Sequence, residues 1–244
     1  MPIPPLDCLG VGAHPDDMEI LAGGLLALLA RQGRRTGILD LTRGERGSNG
    51  SAASRAREAK AAANVLGLAV RRNLGLPDSA LEDTLPNRRK VAQAIRDLRP
   101  ALVVTMPPDD HHPDHIAAAS LVFGACWLAG LARAPGLKGK AFRPRTVLHA
   151  VGHRSVEPGF IVDVSAVWAV KRKAMLCYGS QFTGKGGKTT LTFIDRPGFL
   201  DTLEAKARIL GFRIGAAHGE AFRATLPLAV KDPLAVFAAG TALR

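Results

Sequence analysis

An apolar run that ends in a cluster of histidine and aspartate constrains this chain more than any other stretch. Leu9-Gly10-Val11-Gly12 leads into Ala13-His14-Pro15-Asp16-Asp17-Met18-Glu19, and residues 20–30 continue with helix-like spacing. The order reads as strand, tight turn, helix. Polar groups at the carboxyl end of a strand in an α/β sheet lie where such folds bind ligands. Two neighbouring carboxylates repel each other unless a cation or hydrogen bonds stabilise both. A metal held by one of them, with the other left free as a base, resolves the conflict. The plainer alternative is an aspartate that only caps the helix.

A second cluster, Asp109-Asp110-His111-His112-Pro113-Asp114-His115, follows another apolar run at residues 101–105. Pro113 suits the first turn of a helix. His112 and His115 then stand three apart at its start, within reach of one pocket. Four of the seven histidines lie in the two clusters. Together the clusters offer His, Asp and His ligands, a set that suits a catalytic zinc with one position open for water. Two histidines and a carboxylate also suit iron(II).

Elsewhere short apolar runs alternate with amphipathic segments. Strands are expected at 7–13, 36–42, 70–74 and 101–105, and helices at 21–32, 54–66, 87–98 and 116–132. This β-α alternation implies a parallel sheet with right-handed crossovers. Residues 146–151 and 160–164 read as further strands. Asp163 or Ser165 can cap a helix that runs to Tyr178, and 197–210 is a late helix. No internal repeat or domain boundary stands out, so residues 1–244 are expected to form one domain. Gly23-Gly24 allows the first helix to pack closely; a phosphate loop is the weaker reading, because no G-x-x-x-x-G-K-S/T pattern follows. Arg55 and Glu58 have the spacing of an exposed ion pair. Lys171, Arg172 and Lys173 read as a solvated helix face.

With 47% hydrophobic residues the chain can bury a full core, and with two tryptophans and one tyrosine that core must be mostly aliphatic. Cys8, Cys126 and Cys177 are sparse and odd in number, which argues for buried thiols over a disulfide framework. No stretch approaches the roughly 18 apolar residues of a membrane span. The start, Met1-Pro2-Ile3-Pro4-Pro5, lacks a basic flank and a long apolar stretch, so a cytoplasmic enzyme is expected. The net charge is +12, yet no run of five basic residues occurs and no nucleic-acid-binding signature is present. A basic surface that steers anionic small substrates is the first reading; a basic nucleic-acid-binding protein is the alternative from another class.

Ala13-His14-Pro15-Asp16-Asp17 together with His112-Pro113-Asp114-His115 resembles the paired signature of the PIG-L/LmbE-type N-acetylglucosamine deacetylases, from about Leu6 to Phe222. Thr42-Arg43-Gly44-Glu45, Arg55-Ala56-Arg57-Glu58-Ala59, Asn73-Leu74-Gly75-Leu76-Pro77-Asp78 and Ser180-Gln181-Phe182 resemble the branch that deacetylates N-acetylglucosaminyl-L-malate in bacillithiol biosynthesis. The resemblance implies a Rossmann-like three-layer α/β fold with a mostly parallel sheet. It implies zinc on His14, Asp17 and His115, with iron(II) as another divalent option. It gives Asp16 the role of general base and makes a protonated His112 the stabiliser of the oxyanion. Asp114 is the residue that orients His112 or His115, and Arg55 reaches toward the substrate. Gly184–Lys188 becomes a lid or a malate contact, with ordinary disorder as the plain reading. Gly219-Glu220-Ala221-Phe222 resembles a segment near the pocket. The implied partner is a small, anionic N-acetylglucosaminide, with no nucleic acid and no membrane, and the implied assembly is a homo-oligomer, a hexamer among the options.

His111 departs from the branch, which often has arginine there. Its imidazole either changes the pocket's charge with pH or caps the helix, and the departure bears on malate recognition. Related alternatives are cleavage of another N-acetylglucosaminide, such as a chitooligosaccharide, or of a mycothiol-type thiol conjugate. An iron(II) oxygenase fits poorly, because its H-x-D…H spacing is not matched.

Overall fold

The computed structural model describes residues 4–152, 157–182 and 192–234. Strand β1 (Cys8–Gly12) is buried at all five positions, the signature of a strand covered on both faces of a parallel sheet. Strands β2 (Thr36–Thr42) and β3 (Val70–Leu76) continue the sheet in parallel on one side of β1. Strands β4 (Leu102–Thr105) and β5 (Thr146–Ala150) continue it in parallel on the other. Two late strands, β6 (Phe160–Asp163) and β7 (Gly219–Ala224), complete the order β3-β2-β1-β4-β5-β7-β6, with β7 antiparallel to both neighbours.

Helices α1 (Asp17–Arg31), α2 (Ala52–Leu66) and α5 (Trp168–Leu176) pack together, and α3 (Leu85–Leu98) packs with α4 (Pro113–Ala129) as the other helical layer. The short α6 (Gly179–Phe182) follows α5, and α7 (Phe199–Phe212) lies against β7. The chain is thus a Rossmann-like three-layer α/β fold with a mostly parallel sheet. Its core is aliphatic, as composition required: Leu9, Ile38, Leu41, Ile95 and Val104 have no exposed surface. Tyr178, the single tyrosine, is fully buried.

This topology makes the site. The chain builds outward from β1 through β2 and β3, then crosses back to lay β4 on the free side of β1. The switch point lies between the carboxyl ends of β1 and β4, where adjacent loops leave in opposite directions and open a crevice. Thr105 Oγ1 donates to the Val11 carbonyl at 3.0 Å and ties the two strand ends together.

Local chemistry accounts for the element ends. Ser51 and Ser54 form a reciprocal cap at the start of α2, and Gly67, at φ 71°, ends it. Thr84 accepts the Asn87 N–H at the start of α3. Helix α1 begins at Asp17, four residues earlier than the periodicity of its leucines predicts, because Asp16 turns the chain at φ 115°. Helix α4 begins at Pro113 and not at 116, with His112 as its cap. The expected helix from 163 or 165 to 178 is a 3-10 turn (Ser165–Val167) followed by α5.

Three readings need correction. Strand β7 was not foreseen; only its Gly219-Glu220-Ala221-Phe222 half stood out. Lys171 is not on a solvated face: it is 4% exposed and bonds Glu220 Oε1 at 2.5 Å and the Ile20 carbonyl at 2.7 Å. Cys8 and Cys126 are buried free thiols, pushed up to about 12 by burial, but Cys177 is only half-buried. Gly184–Lys188 lies outside the described residues. Among the described residues, no helix is long and apolar enough to cross a membrane.

Candidate active site

A cavity of about 330 Å³ opens at the switch point, and both histidine–aspartate clusters line it. His14 and Asp16 come from the turn after β1, and Asp17 from the first turn of α1. His112 caps α4, and His115 sits in its first turn. Among the described residues, two groups of three have ligand atoms within 4.8 Å of one another: His14, Asp17 and His115, and His14, His112 and Asp114.

The nitrogens of His14 and His115 divide their tasks. His14 Nε2 lies 3.2 Å from both Asp78 Oδ1 and Asp114 Oδ2, which leaves Nδ1 toward Asp17 Oδ2 at 3.5 Å. His115 Nδ1 lies 3.2 Å from Asp110 Oδ2, and its Nε2 lies 3.2 Å from Asp17 Oδ1. Each imidazole therefore turns one nitrogen to a carboxylate outside the trio and the other to Asp17. That is how ligating histidines are usually oriented.

The carboxylates are fixed in turn. Asp17 Oδ2 accepts the His14 N–H at 2.7 Å. Asp110 Oδ1 accepts the N–H groups of His111 and His112. Asp78 Oδ2 accepts the Arg46 N–H at 2.7 Å. Asp114 Oδ2 accepts the Ser79 N–H at 2.8 Å. Asp114 thus serves His14, where the sequence pointed to His112 or His115. It meets His112 only through its backbone, whose N–H donates to His112 Nδ1 at 3.2 Å. An Nδ1 that accepts carries no proton, so this bond leaves the ring's hydrogen on Nε2. Burial, His115 and His14 push its pKa down.

Five carboxylates here are no more than 6% exposed: Asp16, Asp17, Asp78, Asp110 and Asp114. Facing them are the imidazoles of His14, His111, His112 and His115 and the Arg55 guanidinium. Burial resists the charge on His14, but Asp114, Asp17 and Asp78 outweigh it and hold the imidazole well above its usual range. His115 rises to about 9, with Asp17 and Asp110 outweighing burial. Asp17 falls well below the usual range despite burial, held by His115 and His14. Asp78 falls to about 2, where His14 and backbone donors outweigh burial. A divalent cation suits this surplus of buried negative charge. His14, Asp17 and His115 have the right donor types to hold it, so the donor set fits the group.

Asp16 differs from Asp17. Burial pushes it up to about 7, against the pull of Arg55, with Asp17 adding to the rise. Arg55 is buried, its Nη2 lies 2.8 Å from Asp16 Oδ2, and the same Nη2 donates to the Pro15 carbonyl. The guanidinium fits because residue 44 is glycine: a Cβ there would stand 2.6 Å from Arg55 Nη1. The exposed Arg55–Glu58 pair does not form. Glu58 instead accepts the Ser180 N–H and hydroxyl at 2.8 and 2.7 Å.

Residues 9–126 match the profile of the PIG-L family, described as GlcNAc-PI de-N-acetylase. The diacetylchitobiose deacetylase of Thermococcus kodakarensis is 33% identical over 189 residues, 71% of this chain and 69% of that protein. The chain belongs to the PIG-L family. It is accordingly a deacetylase, a hydrolase of amide bonds. This PIG-L member is also 31% identical to a probable N-acetyl-alpha-D-glucosaminyl L-malate deacetylase 2 of Bacillus cereus, over 71% of this chain and 82% of that one. Its fold matches the crystal structure of the conserved protein TT1542 from Thermus thermophilus with a TM-score of 0.84 and 41% identity, covering 92% of this chain and 97% of that chain.

Two site residues escaped the sequence reading. Asp78 lay in a stretch read as a turn, and its contact with His14 is a tertiary one. Asp110 lay inside the second cluster, but nothing in the spacing showed that its two oxygens divide between the α4 entry and His115.

Proposed function

We propose that this PIG-L protein removes the N-acetyl group from an N-acetylglucosamine conjugate, with His14, Asp17 and His115 holding one zinc ion. Iron(II) is the other occupant that this donor set suits. The division of nitrogens on His14 and His115 is the observation that carries the reading. The alternative trio of His14, His112 and Asp114 is disfavoured, because the Asp114 oxygens already accept the Ser79 and Leu81 amides.

Zinc in such a site supplies a water acidified to a pKa of about 7 and a Lewis acid for a carbonyl. Asp16 accepts the proton that the attacking water gives up, and Arg55 fixes the carboxylate that receives it. His112 presents Nε2–H to the acetyl oxygen as negative charge builds there. The leaving amine takes its proton from Asp16 or His112. Asp114 acts behind His14 and through the backbone of His112. Arg55, which also lines the cavity, contacts the substrate.

N-acetylglucosaminyl-L-malate, of bacillithiol biosynthesis, is one aglycone this reading admits, supported by the Bacillus cereus relative and the four stretches shared with that branch. A conjugate bearing a second ring is favoured by the Thermococcus relative and by a cavity beside the site. Cytoplasmic location and homo-oligomeric assembly, a hexamer among the options, belong to the same reading.

The test is acetate release by zinc-loaded protein from a panel of N-acetylglucosaminides that includes the malate conjugate and diacetylchitobiose. Turnover of at least one is expected. Asp16→Asn should lower it by about 10²–10⁴-fold while metal content stays at the parent level. Parental turnover by Asp16→Asn would remove Asp16 from the role of base.

A further inference from the structure

A second cavity, of about 410 Å³, opens at the carboxyl ends of β4 and β5, and Asp110 lines both it and the catalytic cavity. Ligands of open α/β sheets gather along this edge. Apart from Asp110, none of the groups that face the cavity serves the chemistry above.

Four side chains give the cavity its character. Phe123, on α4, lines it with half its surface exposed. His149 and Arg223 are direct cross-strand partners between β5 and β7, so their side chains stand on the same face of the sheet. The Met106 carbonyl lies 2.8 Å from His149 Nδ1. A carbonyl only accepts, so Nδ1 donates to it and Nε2 is the ring nitrogen left to meet a ligand. The Arg223 side chain makes no hydrogen bond or ion pair among the described residues and offers a fork of donors. Asp109 adds a half-buried carboxylate that only accepts. Lys206 holds one wall in place by donating to the carbonyls of Val151 and Gly152.

An aromatic face, a carboxylate acceptor, an imidazole nitrogen and a donor fork complement a ring that carries several hydroxyls. Each hydroxyl both donates and accepts, and the C–H face of the ring lies against Phe123. The same set disfavours a dicarboxylic acid. Among the side chains that line the cavity Asp109 and Asp110 outnumber Arg223, so a second anion meets carboxylates that do not repel a neutral ring.

We propose that this annex is the aglycone subsite of the deacetylase and that it selects a neutral polyhydroxylated ring, a second sugar or a cyclitol, over an acidic aglycone. The inference rests on the deacetylase reading above. Phe123 and Arg223 are the specificity-determining residues, and neither touches the groups that carry the chemistry.

The experiment measures binding of deacetylated products, so that no turnover intervenes. The zinc-loaded full chain is titrated calorimetrically with methyl glucosaminide, glucosaminyl-N-acetylglucosamine, glucosaminyl-inositol and glucosaminyl-malate. A ring aglycone is expected to tighten Kd by about tenfold over the methyl glycoside, the worth of roughly one net hydrogen bond with a stacking contact. The larger of the two ring gains assigns the subsite to a sugar or to a cyclitol. Phe123→Ala and Arg223→Gln should each remove most of that gain and leave the methyl glycoside within about twofold of the parent. The proposal is overturned if neither ring tightens binding, if the gain survives both variants, or if malate gains as much as the rings. Turnover of methyl N-acetylglucosaminide by the same preparation reports separately on the deacetylase reading.

Discussion

His115 links the folded state to the metal. In the metal-free protein Asp17 and Asp110 hold its pKa at about 9, above the ordinary 6.5. Its ion pairs therefore stabilise the metal-free fold fully below pH 6.5 and lose that contribution as pH rises through 9. A ligand nitrogen must be neutral, so binding zinc at pH 7 has to expel this proton. The apparent zinc affinity should accordingly climb between pH 7 and 9 by up to about tenfold per unit for each proton displaced. Competition with a chelator of known pH dependence measures this, and a flat profile would mean that His115 is not displaced. At this scale the sequence was legible where neighbours in the chain are neighbours in space. His14, Asp17, His112 and His115 were evident because a turn and one helical turn bring them together. Their carboxylate partners were not, because which of five nearby aspartates faces which ring depends on the packing of β3, β4 and α4. Arg55 was singled out, but its bond to Asp16 exists only once α2 is laid beside α1.

Helix α1 is held from outside by a buried ion pair. Glu220, on β7, accepts the Gly24 and Leu25 N–H groups at 2.8 and 2.7 Å, and Lys171, on α5, bonds both Glu220 and the Ile20 carbonyl. The Gly24 N–H and the Ile20 carbonyl are the donor and acceptor of one regular helical bond; here each is met by a side chain from another element. Gly24 is what lets Glu220 approach, since a Cβ there would stand 2.8 Å from Glu220 Oε1 and from Val164. Lys171→Met strands a buried carboxylate and should cost about 3 kcal/mol or more. Adding Glu220→Leu removes the stranded carboxylate and leaves Ile20 and Gly24 to their own helical bond, so the double variant should be more stable than Lys171→Met alone. Chemical denaturation of the two variants decides it, and a double variant less stable than the single would contradict the account. The same device explains what the element-level reading missed. Strand β7 is a six-residue segment whose order comes from pairing with β5 and β6, and Lys171 looked exposed because the residue that buries its charge lies far along the chain. The strand–helix alternation, by contrast, gave every element from β1 to α4, because each carries its own periodicity.

For the whole molecule, the β-α order implied the parallel half of the sheet and hence the crevice, whereas the antiparallel addition of β7 and β6 had no equivalent local signal. Net charge behaves in a similar way: the sum of +12 is plain in the sequence, its distribution is not. Nine carboxylates are buried among the described residues, against three buried basic side chains. The exterior is therefore more basic than the sum suggests, while the catalytic cavity is rich in carboxylates. A basic exterior raises the encounter rate of an anion at low salt and leaves a neutral molecule unaffected. Screening shortens the reach of that field to about 10 Å at 0.1 M salt and about 3 Å at 1 M. If the malate conjugate is a substrate, its kcat/KM should fall severalfold between low and high salt. Diacetylchitobiose, being neutral, should vary by less than about twofold over the same range. Both substrates falling together would mean that salt acts on the site itself, through the ion pairs of Asp16 and Arg55 or the bound metal, and not on the approach. Any binding of nucleic acid to the same basic surface should decline steeply with salt and leave turnover of the neutral substrate unchanged, because that surface and the carboxylate-lined crevice are different parts of the molecule.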